Sequence, residues 1–510
     1  MGTKSHLDDK PRLTVTLLTV ALTVSFGTWF AMGYLLVALN GLQFTIVNWI
    51  RSVKCQRLGG LTPQNISQSR SADLDLWCRP YELEDEGNIL VENAELNTIW
   101  AISSSVIALG GVLALFTCRT AIDRLGQKGS LWFTAGLFTT GALIFASSKW
   151  AASFEMLIVG RFIVGGSMAY ICVVAPLYIA ELTPPALRGA VGTIPSILYN
   201  AGMVLGTTSS LPMLLGTDDR WPFLVLVPLI PVTISSITLR FFPDSPRSLL
   251  ADHQADKARA ALAWLRRSQG VDEELSGIQS AIDNEVNSDQ IFAVRFFCTP
   301  FLRSTFMICF AAMIAQQFSG YQCIVFYSTF IFNSVGLTQV NAVYATTGLW
   351  VTLMCAALVS SFLTERLGRR VLLLTGNLFE GLSLVILVIS MAMTRQGIEW
   401  TKNVSVACLY TFVASHGLGP LAVPWILPTE LFSAQASATA MTASAVTSWG
   451  SSLLTTFTFP VVVAAAEEYT FIIFIVILTM ASLFLYFRQP ETKGRSLEEV
   501  QAILRRGKDY

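Results

Sequence analysis

Asp123-Arg124-Leu125-Gly126-Gln127-Lys128 is written a second time as Glu365-Arg366-Leu367-Gly368-Arg369-Arg370. Two more phrases return at a similar interval: "ELTPPALRG" at 181–189 as "ELFSAQASA" at 430–438, and "PDSPR" at 243–247 as "PETKGR" at 490–495. A repeat spaced by about 240–250 residues marks duplicated halves rather than solenoid units. Two like halves in the same orientation follow, with a ligand site expected between them near mid-membrane.

What separates these phrases is apolar. The chain of 510 residues is 53% hydrophobic and only 13% charged, which places it outside the soluble balance. Twelve nearly uncharged runs, from about 13–39 to about 469–487, are each long enough to cross roughly 30 Å of hydrocarbon as a helix. The fold class expected is therefore an all-α membrane protein with 12 transmembrane helices in two six-helix halves. Residues 13–242 form the first half, with a long loop at 40–95, and residues 303–487 form the second. Between them, 243–302 is charged and amphipathic ("ADKARAALAWLRR" at 255–267) and predicts short helices; 1–12 and 488–510 are terminal segments.

Lys and Arg concentrate in cytoplasmic loops. Arg119, Arg124 and Lys128 follow the second run, Arg188 the fourth, Arg366, Arg369 and Arg370 the eighth, and Arg488, Lys493 and Arg495 the last. Both termini are thus expected in the cytoplasm. The first run is too long for a signal-peptide core and is read as retained. The 40–95 loop is acidic and holds the glycosylation sequon Asn65-Ile66-Ser67. Cys55 and Cys78 share it and form a candidate disulfide, since that compartment permits one. No Cys/His spacing suits a metal, no phosphate-binding loop suggests ATP drive, and zero net charge without a basic stripe gives nucleic acid no argument. Neither an enzyme nor a cofactor is expected.

Gly33-Tyr34, Asn40, "FEMLIVGRF" at 154–162, "PLYIAELTPPALRG" at 176–189, "PDSPR", "QQFSG" at 316–320, "ERLGRR", Pro424-Trp425, Trp449 and "PETKGRSLEEV" at 490–500 occur in one order along the chain. In these the chain resembles the sugar porters of the major facilitator superfamily, and among them the animal glucose/fructose facilitators. "HGLGP" at 416–420 is similar to the fructose-type branch, Trp425 to the glucose-type branch. The resemblance implies a hexose as cargo, the plasma membrane as location and the monomer as functional unit. It also implies a buried arginine at Arg161 and a charged gate at Glu181, Arg188, Glu365, Arg369, Arg370 and Glu430, with Arg124 and Arg247 beside them. Ser437 and Gln127 replace family arginines, so that gate is expected to be weak and Glu430 short of a cation.

Gln316, Gln317 and Gln322 are the least expected residues in their run. A buried carboxamide with nothing to bond costs about 1–3 kcal/mol, and a sugar's hydroxyls both donate and accept. In a continuous helix Gln317 and Gln322 would point about 140° apart, so both meet one ligand only if the helix opens, at Ser319-Gly320. The alternative is that the amides join neighbouring helices. Trp425 and Trp449 could cover the apolar face of a sugar, Trp425 from a hinge built by Gly417, Gly419, Pro420, Pro424 and Pro428. His416 is either a sugar ligand or a packing histidine bonded to a helix carbonyl. Glu380 has no family role, and a neutral, hydrogen-bonded carboxyl is expected.

Departures from the family bear on cargo and drive. Ser196, Gln322, Leu353, Gly417 and Ser452 stand where the glucose facilitators carry Gln, Asn, Asn, Glu and Asn, which removes hydroxyl partners, and Ser196 stays a candidate sugar contact on the fifth span. Leu35 stands where proton-coupled relatives carry an acid, and leucine cannot titrate. Passive uniport of fructose or glucose is expected; a carrier of urate or a polyol, or a transport-silent sugar sensor, are the alternatives.

Overall fold

The computed structural model describes residues 13–57, 94–184, 187–268, 270–286, 293–495 and 497–506. Asn65 and Cys78 lie outside them. Twelve spanning helices lie among the described residues. The first runs from Val15–Ser25 through one π-helical turn, Phe26–Phe30, to Ala31–Val37. The second and third share Ala94–Ser147 and part at Gly126; the fourth, fifth and sixth are Phe154–Leu182, Arg188–Ser209, and Trp221–Leu226 with Leu229–Leu239. In the second half they are Pro300–Gln317 with Tyr321–Ser334, Gln339–Leu367, Arg369–Arg395, Thr401–Leu418 with Val423–Leu431, Ala434–Ala466, and Thr470–Arg488. Lipid offers a backbone no partner, so each segment must close its own hydrogen bonds, and a helix does so.

The repeated phrase marks a repeated backbone. Gly126 has φ 68° and Gly368 φ 93°, each turning one spanning helix directly into the next. Only glycine enters that region without cost, which explains why it is fixed in both copies. This face of the bundle, which carries the charged phrases, is called the connector face below. The opposite loop face carries the helix Gln43–Arg57, where Arg57 pairs with Glu155.

Short helices cover the connector face: Pro246–Ala251, Ala255–Arg266, Asp272–Val286 and Ala293–Cys298. Their contacts divide between the halves. Thr14 donates to the Leu265 carbonyl at 2.7 Å, Arg267 Nε to Thr16 Oγ1 at 2.7 Å, and Arg266 to the Leu182 carbonyl at 3.0 Å, so these helices ride on the first half. Phe296 is instead buried against Phe306 and Phe432 of the second half.

Within the first half, the first and fifth spans cross backbone to backbone. A Cβ on Gly202 would enter the carbonyl oxygen of Phe30 and the amide nitrogen of Tyr34. Overpacking such a contact costs about 1–3 kcal/mol. Gly202→Val should therefore lower the thermal midpoint of the detergent-solubilised protein, followed by size-exclusion of heated samples. An unchanged midpoint would mean that the crossing is looser than described.

Candidate functional site

The seventh span stops at Gln317 and resumes at Tyr321, with Gly320 between them at φ +93°. Ser319 Oγ stitches the gap, donating to the Gln316 carbonyl at 2.9 Å and accepting from the Tyr321 amide at 3.3 Å. The opening expected at Ser319-Gly320 is present, and it closes the angle that a continuous helix would leave. Gln322 Nε2 now donates to Gln317 Oε1 at 2.6 Å, and Gln317 Nε2 donates to Ser448 Oγ at 2.5 Å and to Gln316 Oε1 at 3.3 Å. Three amides thus form one chain ending on the eleventh span. In sequence Ser448 looks like its neighbours Ser444, Ser451 and Ser452, and nothing singles it out.

The other end of the Gln316 carboxamide leaves this chain. Its Nε2 donates to the carbonyls of Pro420 at 2.7 Å and Leu421 at 3.0 Å. Both oxygens have lost their helical donors: Pro424 has no N–H to return to Pro420, and the Trp425 amide bonds Ala422 instead of Leu421. The break in the tenth span is therefore satisfied by a side chain from the break in the seventh.

Trp425 and Trp449 are half-buried where the halves meet, packed beside Leu115, Ala169 and Ala445, and the Trp449 ring lies over Gly111 of the second span. Ser196 is exposed on the fifth span, and its carbonyl accepts from Asn200 Nδ2 at 2.8 Å. Among the described residues no hydrogen bond joins it to the amides. His416 is fully buried, and it bonds Glu380 rather than a helix carbonyl: Nδ1 and Oε1 are 2.8 Å apart. Arg161 is buried in the fourth span with Tyr327 as its electrostatic neighbour, and Leu35 is buried in the first.

On the connector face, Glu430 is fully engaged. Its Oε1 accepts from Arg369 Nε at 3.0 Å and its Oε2 from Thr492 Oγ1 at 2.5 Å, so the absence of an arginine at Ser437 leaves it with two partners. Ser437 donates to the Pro428 carbonyl. The first half repeats the arrangement, with Ser245 Oγ donating to Glu181. Ser245 and Thr492 are the third residues of the matched phrases "PDSPR" and "PETKGR". Glu491 adds bonds from the amides of Arg369 and Arg370, whose side chain reaches the Tyr486 carbonyl. Each of these bonds stays within one half. Arg124 and Arg188 are exposed, Arg247 is half-buried, and the side chain of Glu365 is outside the description. Cys55 is disulfide-bonded, whereas the other described cysteines are thiols.

The loop face joins the halves without charge. Asn40 Nδ2 donates to Ser328 Oγ at 2.5 Å and the Val325 carbonyl at 3.1 Å, and its Oδ1 accepts from the Thr329 amide at 3.3 Å. The seventh span can offer that carbonyl and amide because it departs from helical geometry at Tyr327, φ −133°.

Residues 20–504 match the family model described as "Sugar (and other) transporter". The chain is 32% identical over 418 residues, 82% of its length, to the Gallus gallus "Solute carrier family 2, facilitated glucose transporter member 1", covering 85% of that protein. It is 31% identical to member 5 of Equus caballus, over 81% of this chain and 82% of that one. Among solved structures, the proton:xylose symporter XylE bound to 6-bromo-6-deoxy-D-glucose aligns with TM-score 0.72 at 19% identity, over 97% of this chain and 100% of the other. The inward open form of XylE from E. coli aligns with TM-score 0.71, also at 19% identity, over 96% of this chain and 99% of the other. At such identity the likeness shows the major facilitator fold alone.

Truncating Asn40 to Ala strands buried groups of the seventh span, at about 1–3 kcal/mol. The loss falls on the state closed at the loop face. Spin labels placed across that face of the Asn40→Ala variant should show a population shifted to longer distances. Unaltered distances would mean the seam is held by other contacts.

Proposed function

The chain belongs to the sugar transporter family, and we propose that it carries a hexose, fructose or glucose, down its gradient across the plasma membrane by alternating access. The observation that carries this is the amide chain Gln322–Gln317–Ser448, assembled at a helix break, with Trp425 and Trp449 half-buried at the junction of the halves. An amide offers donor and acceptor from one planar group, without the heavier desolvation cost of a charge. Flat indoles suit the C–H face of a pyranose or furanose ring. In the unloaded arrangement the amides satisfy one another, and hydroxyls replace those partners when the sugar enters. The connector face, rich in Lys and Arg, is assigned to the cytoplasm, and with it both termini. The functional unit proposed is a monomer.

Uniport is supported by Leu35, an apolar side chain where proton coupling would need a titratable one. The names of the matched relatives, facilitated glucose transporters, point the same way. One observation favours a carrier of the same fold for another small polar solute: Leu353 is fully buried and packs against Gly417, so two positions where the family offers polar groups are apolar here. A polyol or urate, presenting hydrogen-bonding groups in another pattern, is the second reading.

Gln317→Leu should abolish saturable uptake of labelled fructose and glucose into proteoliposomes while the protein stays monodisperse, since it removes ligand bonds and leaves the helix break in place. Retained uptake would remove Gln317 from the site. Uptake by the unaltered chain should show no acceleration under an imposed proton gradient and no accumulation beyond equality. Accumulation driven by that gradient would overturn uniport.

A further inference from the structure

Two ionisable residues that the transport site does not use meet in the interior of the second half. Glu380 lies in the ninth span and His416 in the last turn of the tenth-span helix before its break, and the side chains of both have 0% exposure. The ninth span comes close at this level because Gly376 lets the Pro420 ring and the Ser415 carbonyl approach its backbone. Glu380, one turn further along, then reaches His416 Nδ1 at 2.8 Å. The imidazole lies flat on Tyr321, with ring centroids 3.8 Å apart and planes 11° from parallel, and Phe412 is aligned with it at 6.4 Å. Tyr321 is the first residue after Gly320. The direction of its ring is thus tied to the backbone turn that brings Gln322 to Gln317.

We propose that Glu380 and His416 are positioning residues for the transport site: the ninth span holds the imidazole against Tyr321, and the stack fixes the turn on which the amide chain depends. The alternative role, His416 as a ligand for a sugar hydroxyl, has no route in this geometry, since the ring is enclosed and its Nε2 reaches neither solvent nor the amides. A second contact acts with the brace. Gln316 ties the seventh-span break to Pro420 and Leu421, and the Leu421 amide in turn donates to the His416 carbonyl at 2.9 Å. The two discontinuities are therefore joined at two points, and Glu380 supports one of them from a helix outside both.

The uptake arm of the test rests on the hexose reading; the labelling arm does not. Cys323, two residues beyond Tyr321, is a fully buried thiol and reports the order of the break through its rate of alkylation by N-ethylmaleimide, mapped by peptide mass spectrometry in the full chain. E380L removes the bond, and H416F removes it while keeping a flat ring on Tyr321. Each should raise the half-saturating hexose concentration about tenfold, with a smaller fall in maximal rate. Because both delete one shared interaction, E380L/H416F should be no worse than either alone. E380Q keeps a hydrogen-bond partner and should recover most of what E380L loses. Cys323 should be alkylated about tenfold faster in E380L and H416F than in the unaltered chain or E380Q. Additive effects of the two substitutions would overturn the proposal. So would H416F weakening uptake while E380L leaves both uptake and Cys323 unchanged, which would place His416 on the sugar. If the unaltered chain takes up no hexose, the function proposed above fails, and the Cys323 rates alone decide the brace.

Discussion

A carbonyl that loses its helical donor inside a bilayer has no water to turn to, at a cost of several kcal/mol. In this protein two such carbonyls, those of Pro420 and Leu421, are taken by the carboxamide of Gln316. The bond decides more than its own neighbourhood. It permits a break in the tenth span at the level where the seventh span is also broken, and it spends one amide of the triplet on the frame. Gln317 and Gln322 are left to the interior. The tenth-span break depends on the seventh span for its partner, while the seventh-span break is closed from within by Ser319.

The parts of this structure that could be read in advance are those with local causes. The halves were legible because charged phrases repeat and hydrocarbon forces what lies between them to be helix. The opening at Ser319-Gly320 was legible because two amides could not otherwise share a ligand. Contacts between helices were not. A helix that is apolar on every side has no periodicity to say which face meets which neighbour. Glu380 and His416 therefore stood as two separate anomalies, 36 residues apart in sequence, until packing made each the explanation of the other. Ser448 was hidden among similar hydroxyls for the same reason. The missing arginine at Ser437 predicts Glu430 short of a partner, yet Thr492 bonds it from a distant phrase.

That phrase shows duplication preserved in chemistry as well as in backbone. Ser245 bonds Glu181 and Thr492 bonds Glu430, so each half fastens the end of its own sixth helix to its own charged loop. Fastenings within a half make it rigid, and rigidity is what allows two halves to rock about a central site instead of deforming around it. The short helices of the connector face follow this division: Ala255–Arg266 and its cap Arg267 are tied to the first half through Thr14, Thr16 and Leu182, and Ala293–Cys298 to the second through Phe296.

The loop-face seam is a neutral amide, Asn40, set among backbone groups, while the connector face is crowded with ionised side chains. Screening by salt reaches exposed charges and passes over a dry, uncharged contact. The two ends of the molecule therefore answer differently to ionic strength: the neutral join between the halves does not respond, while the ion pairs that stiffen each half at the connector face do. For a passive carrier, detailed balance forbids such lopsidedness from altering the final ratio of cargo on the two sides. It leaves entry and exit free to saturate at unequal concentrations, so a passive carrier built in this way would be a symmetric valve at rest and an asymmetric one in flow.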